Sequence, residues 1–342
     1  MKRREPNFDN VLKLLRREIT ERPVLFELFM NMPLYELVNG EKLPADDDLT
    51  AAKFTVKAFA AMGYDYATLH ASHFHFPTNH KAHAHTLSLN DDPIITDERT
   101  FEQYTWPDPE QFDTSVLSDV KRYLPDGMKL MVMSPGGVLE NVIELTGYDN
   151  LCYMLYEQPE LAGRLFDEVG NRLLRYYELA LQHDSVGFVC ANDDWGFNTQ
   201  TLLSPAQMRQ FVFPHHRRIV DLAHQSGRPV ILHSCGNFRD IIDDTIALGF
   251  DAKHSYEDNI LPIERAYDAW HDRIALLGGI DLHFLCTSTE DAIRARTRAL
   301  LEQTAPSGGW AVGTGNSVPE YLPPHAFFAM LEAAIGYSVL PG

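Results

Sequence analysis

RPVILHSCGNFRDIIDDTIALGFDAKHSYE, residues 228–257, reads as strand, polar turn, helix, strand. The run 229–232 is apolar and carries β-branched Val230 and Ile231, the composition of a buried strand. Gly236 and Asn237 turn the chain, and 240–248 has the pattern of a helix stopped by Gly249. The next strand begins at Ala252. His233 and Cys235 follow the first strand directly, and His254 and Glu257 gather at the end of the second. Residues i and i+2 of an extended segment point the same way, so the His233 imidazole and the Cys235 thiol can converge on one point. Imidazole with thiolate suits zinc or a similar divalent metal. A packed thiol beside a hydrogen-bonded histidine fits the same spacing.

Outward from this stretch the pattern repeats. Strand patterns occur at 23–29, 64–70, 129–133, 187–191, 229–232, 252–255, 274–277 and 310–312. Most are followed by a helix pattern: 47–62, 114–124, 138–146, 148–182, 240–248, 288–304 and 324–337. Ser204-Pro205 supplies a cap and a first-turn proline for a helix to about residue 226, and Thr287 with Glu290 has capping-box spacing. Short αβ connections force parallel neighbours, and eight such units close a (β/α)8 TIM barrel. An open doubly wound sheet is the alternative, but no dinucleotide fingerprint follows the first strand. The amphipathic stretch 7–19 predicts an N-terminal helical extension, and the polar run 90–113 predicts an insertion over the site or a surface loop. One domain, 1–342, is expected.

The net charge of −19 argues against nucleic acid or an anionic membrane as the main partner. No apolar run is long enough to span a bilayer, and the basic N-terminus lacks the apolar core of a signal peptide. Four scattered cysteines (152, 190, 235, 286) contain no CxxC pair, which predicts a reducing, cytoplasmic setting. A monomer or homodimer is expected.

In a barrel the residues just past each strand face one mouth. Read that way, Asp193, His254 and Glu257 are the candidates for catalysis, and His233 and Cys235 for metal. Glu27, His70, Ser134, Trp195, Asp281, Thr314 and Asn316 are the candidates to line a substrate site. Asp193-Asp194 can serve acid–base chemistry, but adjacent side chains diverge and one of them can instead bind the backbone turn. Six histidines crowd 70–85; such density can mean metal binding, but His80, His83 and His85 read first as a solvated loop.

ILHSCGN, DAKHSYED, the GGID turn and GTGNSVPEYLPP together resemble the uroporphyrinogen decarboxylase superfamily, most specifically from Asn192 onward. The resemblance implies a barrel with its site at the C-terminal mouth, and one of two activities. True decarboxylases of that superfamily hold porphyrinogen carboxylates with arginines after the first strand. Here FELFMNMPLYE stands there, and no Arg or Lys lies between Val24 and Tyr35. The cobalamin-dependent methyltransferase branch resembles this chain more closely. It implies zinc on His233 and Cys235, with Thr314 at the place of a third, thiolate ligand; Glu27, Asp193, His254 or Glu257 would then complete the set. It also implies a small-molecule methyl donor or acceptor, and methylcobalamin presented by a partner corrinoid protein. A decarboxylase-like lyase on a smaller carboxylic substrate and a non-catalytic corrinoid- or ligand-binding barrel are the alternatives.

Overall fold

The computed structural model describes residues 4–45, 47–78, 89–90 and 92–337. Three helices come first: α1 (Phe8–Leu15), α2 (Met32–Asn39) and α3 (Asp48–Ala61). Each begins where a side chain takes up an orphan N–H: Asn7, Asn31 and Asp47 accept from residues of their first turns. Then follow β1 (Tyr66–His70), α4 (Glu98–Gln103), α5 (Val116–Asp119), β2 (Lys129–Met133), α6 (Val138–Thr146), α7 (Tyr148–Glu157) and α8 (Pro159–Ala180). β3 (Val186–Asn192), α9 (Pro205–Gln207) and α10 (Phe213–Gln225) lead into β4 (Val230–His233) and α11 (Ile242–Ala247). The chain closes with β5 (Ala252–His254), α12 (Ile263–Trp270), β6 (Ala275–Leu277), α13 (Leu282–Thr287), α14 (Glu290–Thr304), β7 (Trp310–Ala311) and α15 (Pro324–Ile335).

The strands form one parallel sheet of seven in chain order, curled in the manner of a TIM-type barrel. The first expected strand, 23–29, is not an eighth member. It makes isolated bridges at Leu25↔Val312 and Met30↔Val318. Tyrosine hydroxyls take the donors that a ladder would use: Glu27 N donates to Tyr66 Oη at 2.9 Å, and Met30 N to Tyr35 Oη at 3.0 Å.

Other expectations shift for local reasons. The helix expected over 148–182 breaks at Gln158, because Pro159 cannot continue α7 but fits the first turn of α8. The helix after Ser204 has its expected cap but carries a wide π-type turn, Met208–Val212, just before Pro214. α14 is capped by Thr289, which accepts from Ala292 N at 3.3 Å, and not by a Thr287–Glu290 box. The polar run 90–113 contains α4 and lies along α8, where Arg164 meets Glu98 and Glu102 and Arg172 Nε donates to Pro107 O. The histidines 80, 83 and 85 lie outside the described residues.

Inside the sheet a column of rings fills the barrel. Phe8 meets Phe188 (centroids 5.8 Å), Phe188 meets Tyr66 (5.1 Å), Tyr66 meets Phe26 (5.8 Å) and Phe26 meets His254 (4.9 Å). The register sets Asn192 beside His233 and His233 beside His254, so three adjacent strands deliver polar groups to one edge above this column. No helix among the described residues is long and apolar enough to cross a membrane.

Candidate metal centre

His254 is fully buried, and its Nε2 lies 3.2 Å from Thr314 O. A carbonyl only accepts, so that nitrogen carries the proton and Nδ1 is left with its lone pair. His233 Nδ1 stands 2.8 Å from His254 Nδ1 and therefore donates to it. This leaves the lone pair on His233 Nε2, which faces Cys235 Sγ at 3.9 Å. Burial pushes the His233 pKa down to about 3 and that of His254 well below its ordinary value, so both rings are neutral, the form that binds metal.

Cys235 is placed by its turn. Gly236 has φ +97°, and a Cβ there would lie 2.2 Å from Gly196 O, so only glycine lets the chain leave Cys235 in this direction. Cys235 N donates to Asp194 Oδ1 at 2.8 Å. Asp194, His233 and Cys235 each offer a ligand atom, all within 4.8 Å of one another. Donors on one tetrahedral zinc ion stand about 3.3–3.8 Å apart, given bonds near 2.0–2.3 Å, so the set must close by up to about 1 Å to coordinate. Asn316 Nδ2 donates to Cys235 Sγ at 3.2 Å, a contact that favours thiolate. Burial, with the Asp194 charge beside it, pushes the thiol up to about 12, a balance that a bound cation reverses.

The other expected residues separate into those near this group and those turned from it. Asp193, expected as acid–base residue, is fully buried beneath the site. It accepts from Leu139 N (3.0 Å), Glu140 N (2.9 Å) and His216 Nε2 (2.8 Å), so its oxygens anchor α6 and α10. Trp195 is packed wall, stacked on Phe238 and edge-on to His216. Thr314 is tied to Glu27: its N–H meets Oε1 at 2.8 Å and its Oγ1 meets Oε2 at 2.6 Å. Glu27 itself is fully buried, and burial raises it to about 8. Ser134 bonds Gly136 O and Asn192 Oδ1. His70 lines a separate hollow with Asp48, His73 and Pro135. Asp281 caps α13 and accepts from Asp258 N, and it shares with Glu257 and Asn316 a cavity of about 860 Å³. Burial, with Asp281 and Asp194 nearby, pushes Glu257 up.

The residue that sequence reasoning placed least well is Asp194. Its alternative as a turn-binding carboxylate is realised through Cys235 N, and that same bond holds it beside His233 and Cys235. The divergence of adjacent side chains separates it from Asp193, but sequence does not say which of the two faces the mouth. Lys253, buried in β5, carried no signal beyond its place next to His254.

Fold and site together define a parallel, barrel-type α/β domain with a mixed N, S, O ligand group at the C-terminal ends of its strands. The uroporphyrinogen decarboxylase (URO-D) family model matches residues 49–337, and the chain belongs to that family. A uroporphyrinogen decarboxylase of Myxococcus xanthus is 24% identical over 322 residues, 88% of each chain. A methylated-thiol–coenzyme M methyltransferase of Methanosarcina mazei is also 24% identical, over 64% of this chain and 59% of its own. Among solved structures, a methyltransferase from Methanosarcina mazei superposes with a TM-score of 0.66 at 15% identity, covering 95% of this chain and 97% of its own, a likeness of fold.

Proposed function

We propose that the chain is a methyltransferase of corrinoid-dependent methyl metabolism. It would exchange a methyl group between methylcobalamin, presented by a partner corrinoid protein, and a small acceptor or donor. The observation that carries this reading is the convergence of Asp194, His233 and Cys235 at one end of parallel strands, with the His233 tautomer fixed by His254. These residues fit zinc or a similar divalent ion: a neutral imidazole with its lone pair free, a thiol that already receives a donor, and a carboxylate. A metal held there supplies the Lewis acidity that makes a thiol or hydroxyl nucleophilic near neutral pH. The chain's own part is positional. His254 holds the His233 ring by its proton, and Asn316 donates to the sulfur. The Cys235 amide pins Asp194. Glu257 and Asn316 border the 860 Å³ cavity in which a substrate is handled.

The decarboxylase relatives raise a lyase reading, against which stand the segment after Val24 and the engagement of Asp193. A polyanionic porphyrinogen would find no Arg or Lys between Val24 and Tyr35. Asp193 is already engaged by three donors.

The test has two parts. Protein from zinc-supplemented growth should hold about one divalent ion per chain, and Asp194→Ala should lose it to a chelator roughly 10–100-fold faster. With metal present, methylcobalamin should be demethylated in the presence of a small thiol, and His233→Ala should abolish this. Protein that neither contains nor takes up metal overturns the reading; a metal-loaded protein inert toward methylcobalamin across a thiol and hydroxyl panel removes its methyl-transfer half.

A further inference from the structure

A second cavity, of about 270 Å³, lies on the outer side of β5, between the segments that follow β4 and β5. Its walls are largely apolar: Phe238, Ile242, Leu261 and Trp270. Side chains alternate along β5, so Lys253 faces this cavity while His254 faces the ring column. Two polar groups in the lining have incomplete bonding. The Tyr256 hydroxyl is fully enclosed and has no hydrogen-bond partner among the described residues. The Lys253 ammonium is only 2% exposed. It donates to Ser234 O at 3.2 Å and Ser255 O at 2.7 Å, and it rests over the rings of Phe238 and Tyr256 at 4.2 and 4.5 Å. None of these partners bears a full negative charge, and burial lowers the Lys253 amine to about 7, a shift that an anion bound beside it would reverse. Arg239, exposed, adds a second cation to the lining, against the one carboxylate of the half-buried Glu257. One buried lysine and one exposed arginine thus border a small cavity in a chain of net charge −19.

Size and chemistry together select a ligand. An apolar cavity of roughly 150 Å³ is enough for benzene, so this one has space for a ring, a carboxylate and a small substituent. The third N–H of Lys253 and the Tyr256 O–H are two donors for one anionic group. We propose that this cavity binds a small aromatic carboxylate, with the ring between Phe238 and Trp270 and the carboxylate on Lys253 Nζ and Tyr256 Oη. Gly236 and Ser255 belong to the same lining, and Ser255 Oγ is 3.9 Å from Cys235 Sγ, so the bound ring lies beside the metal group. The site is a property of the β5 side chains and stands independently of the methyl-transfer reading.

Titration calorimetry on the protein as purified, without methylcobalamin, tests it with benzoate as probe. Benzoate should bind saturably, with benzyl alcohol and benzylamine weaker by about tenfold or more, the scale of a hydrogen-bonded charge. Tyr256→Phe removes an unpaired hydroxyl and so keeps the fold, and it should weaken benzoate by about tenfold. Leu261→Trp should fill the cavity and abolish binding. Removing metal with a chelator should leave benzoate affinity unchanged. No saturable binding, equal affinity for benzylamine, or indifference to both substitutions overturns the proposal. So does affinity that disappears with the metal, because the carboxylate would then sit on the ion.

Discussion

Glu27 and Thr314 share one proton arrangement that satisfies every atom. Thr314 Oγ1 lies against both Glu27 Oε2 and Asn316 O, yet a hydroxyl has a single hydrogen. If Glu27 is protonated it donates to Thr314, and Thr314 donates onward to Asn316 O. Burial, opposed by the two Thr314 hydrogen bonds, lifts this carboxyl from 4.5 to about 8. A folded pKa above the unfolded one favours the folded state at low pH. That stability is full below the unfolded value and is lost as pH rises through about 8. Glu27→Gln preserves the geometry and removes the titration. Between pH 5 and pH 8 the native protein should lose on the order of 4 kcal/mol more stability than Glu27→Gln, at about 1.4 kcal/mol per pKa unit. Urea midpoints of the two proteins at both pH values measure this, and parallel pH profiles would show Glu27 ionised throughout. His254 offers a second test at this scale. His254→Phe keeps a ring against Phe26 but frees the His233 tautomer, so metal should leave about 10–100-fold faster while the thermal midpoint changes little. Unchanged metal release would show that His233 needs no such orientation. The approach of Cys235 to His233 was legible from their i, i+2 spacing, although β4 ends at His233 and the turn at Gly236 sets the thiol. The third donor was not, because the choice between Asp193 and Asp194 depends on where α6 docks.

That docking is the clearest event at the scale of elements. The N-terminus of α6 sits on Asp193, whose carboxylate receives two amides of the first turn, the arrangement that helix ends favour. A Cβ at Gly137 would lie 2.1 Å from Asp193 Cβ. Gly137→Ala should therefore push α6 off β3 and lower stability by roughly 2–5 kcal/mol, the range for breaking buried polar contacts and overpacking. A thermal midpoint within about two degrees of the native one would contradict this. Strands with β-branched apolar runs, such as β2 and β4, were readable from sequence, as was α6 with its clean period. The segment 23–29 has the composition of a strand but makes only an isolated bridge, Leu25↔Val312. What decides its pairing are the hydroxyls of Tyr66 and Tyr35, and composition does not reveal those. The break at Pro159 was visible in the sequence, but the apolar period runs through it and hid the two helices.

Across the whole molecule, the alternation of strand and helix sufficed for the class of fold, and the family match agrees with it. The cavities were beyond the sequence, because each is bounded by segments from different βα units that meet only when the sheet curls. The column from Phe8 to His254 then has a kinetic meaning. Rings in contact from α1 to the site make the barrel a blind well, closed below and open at one end. The packed rings leave no thoroughfare along the barrel, so whatever reacts at His233 enters and leaves on the side away from α1.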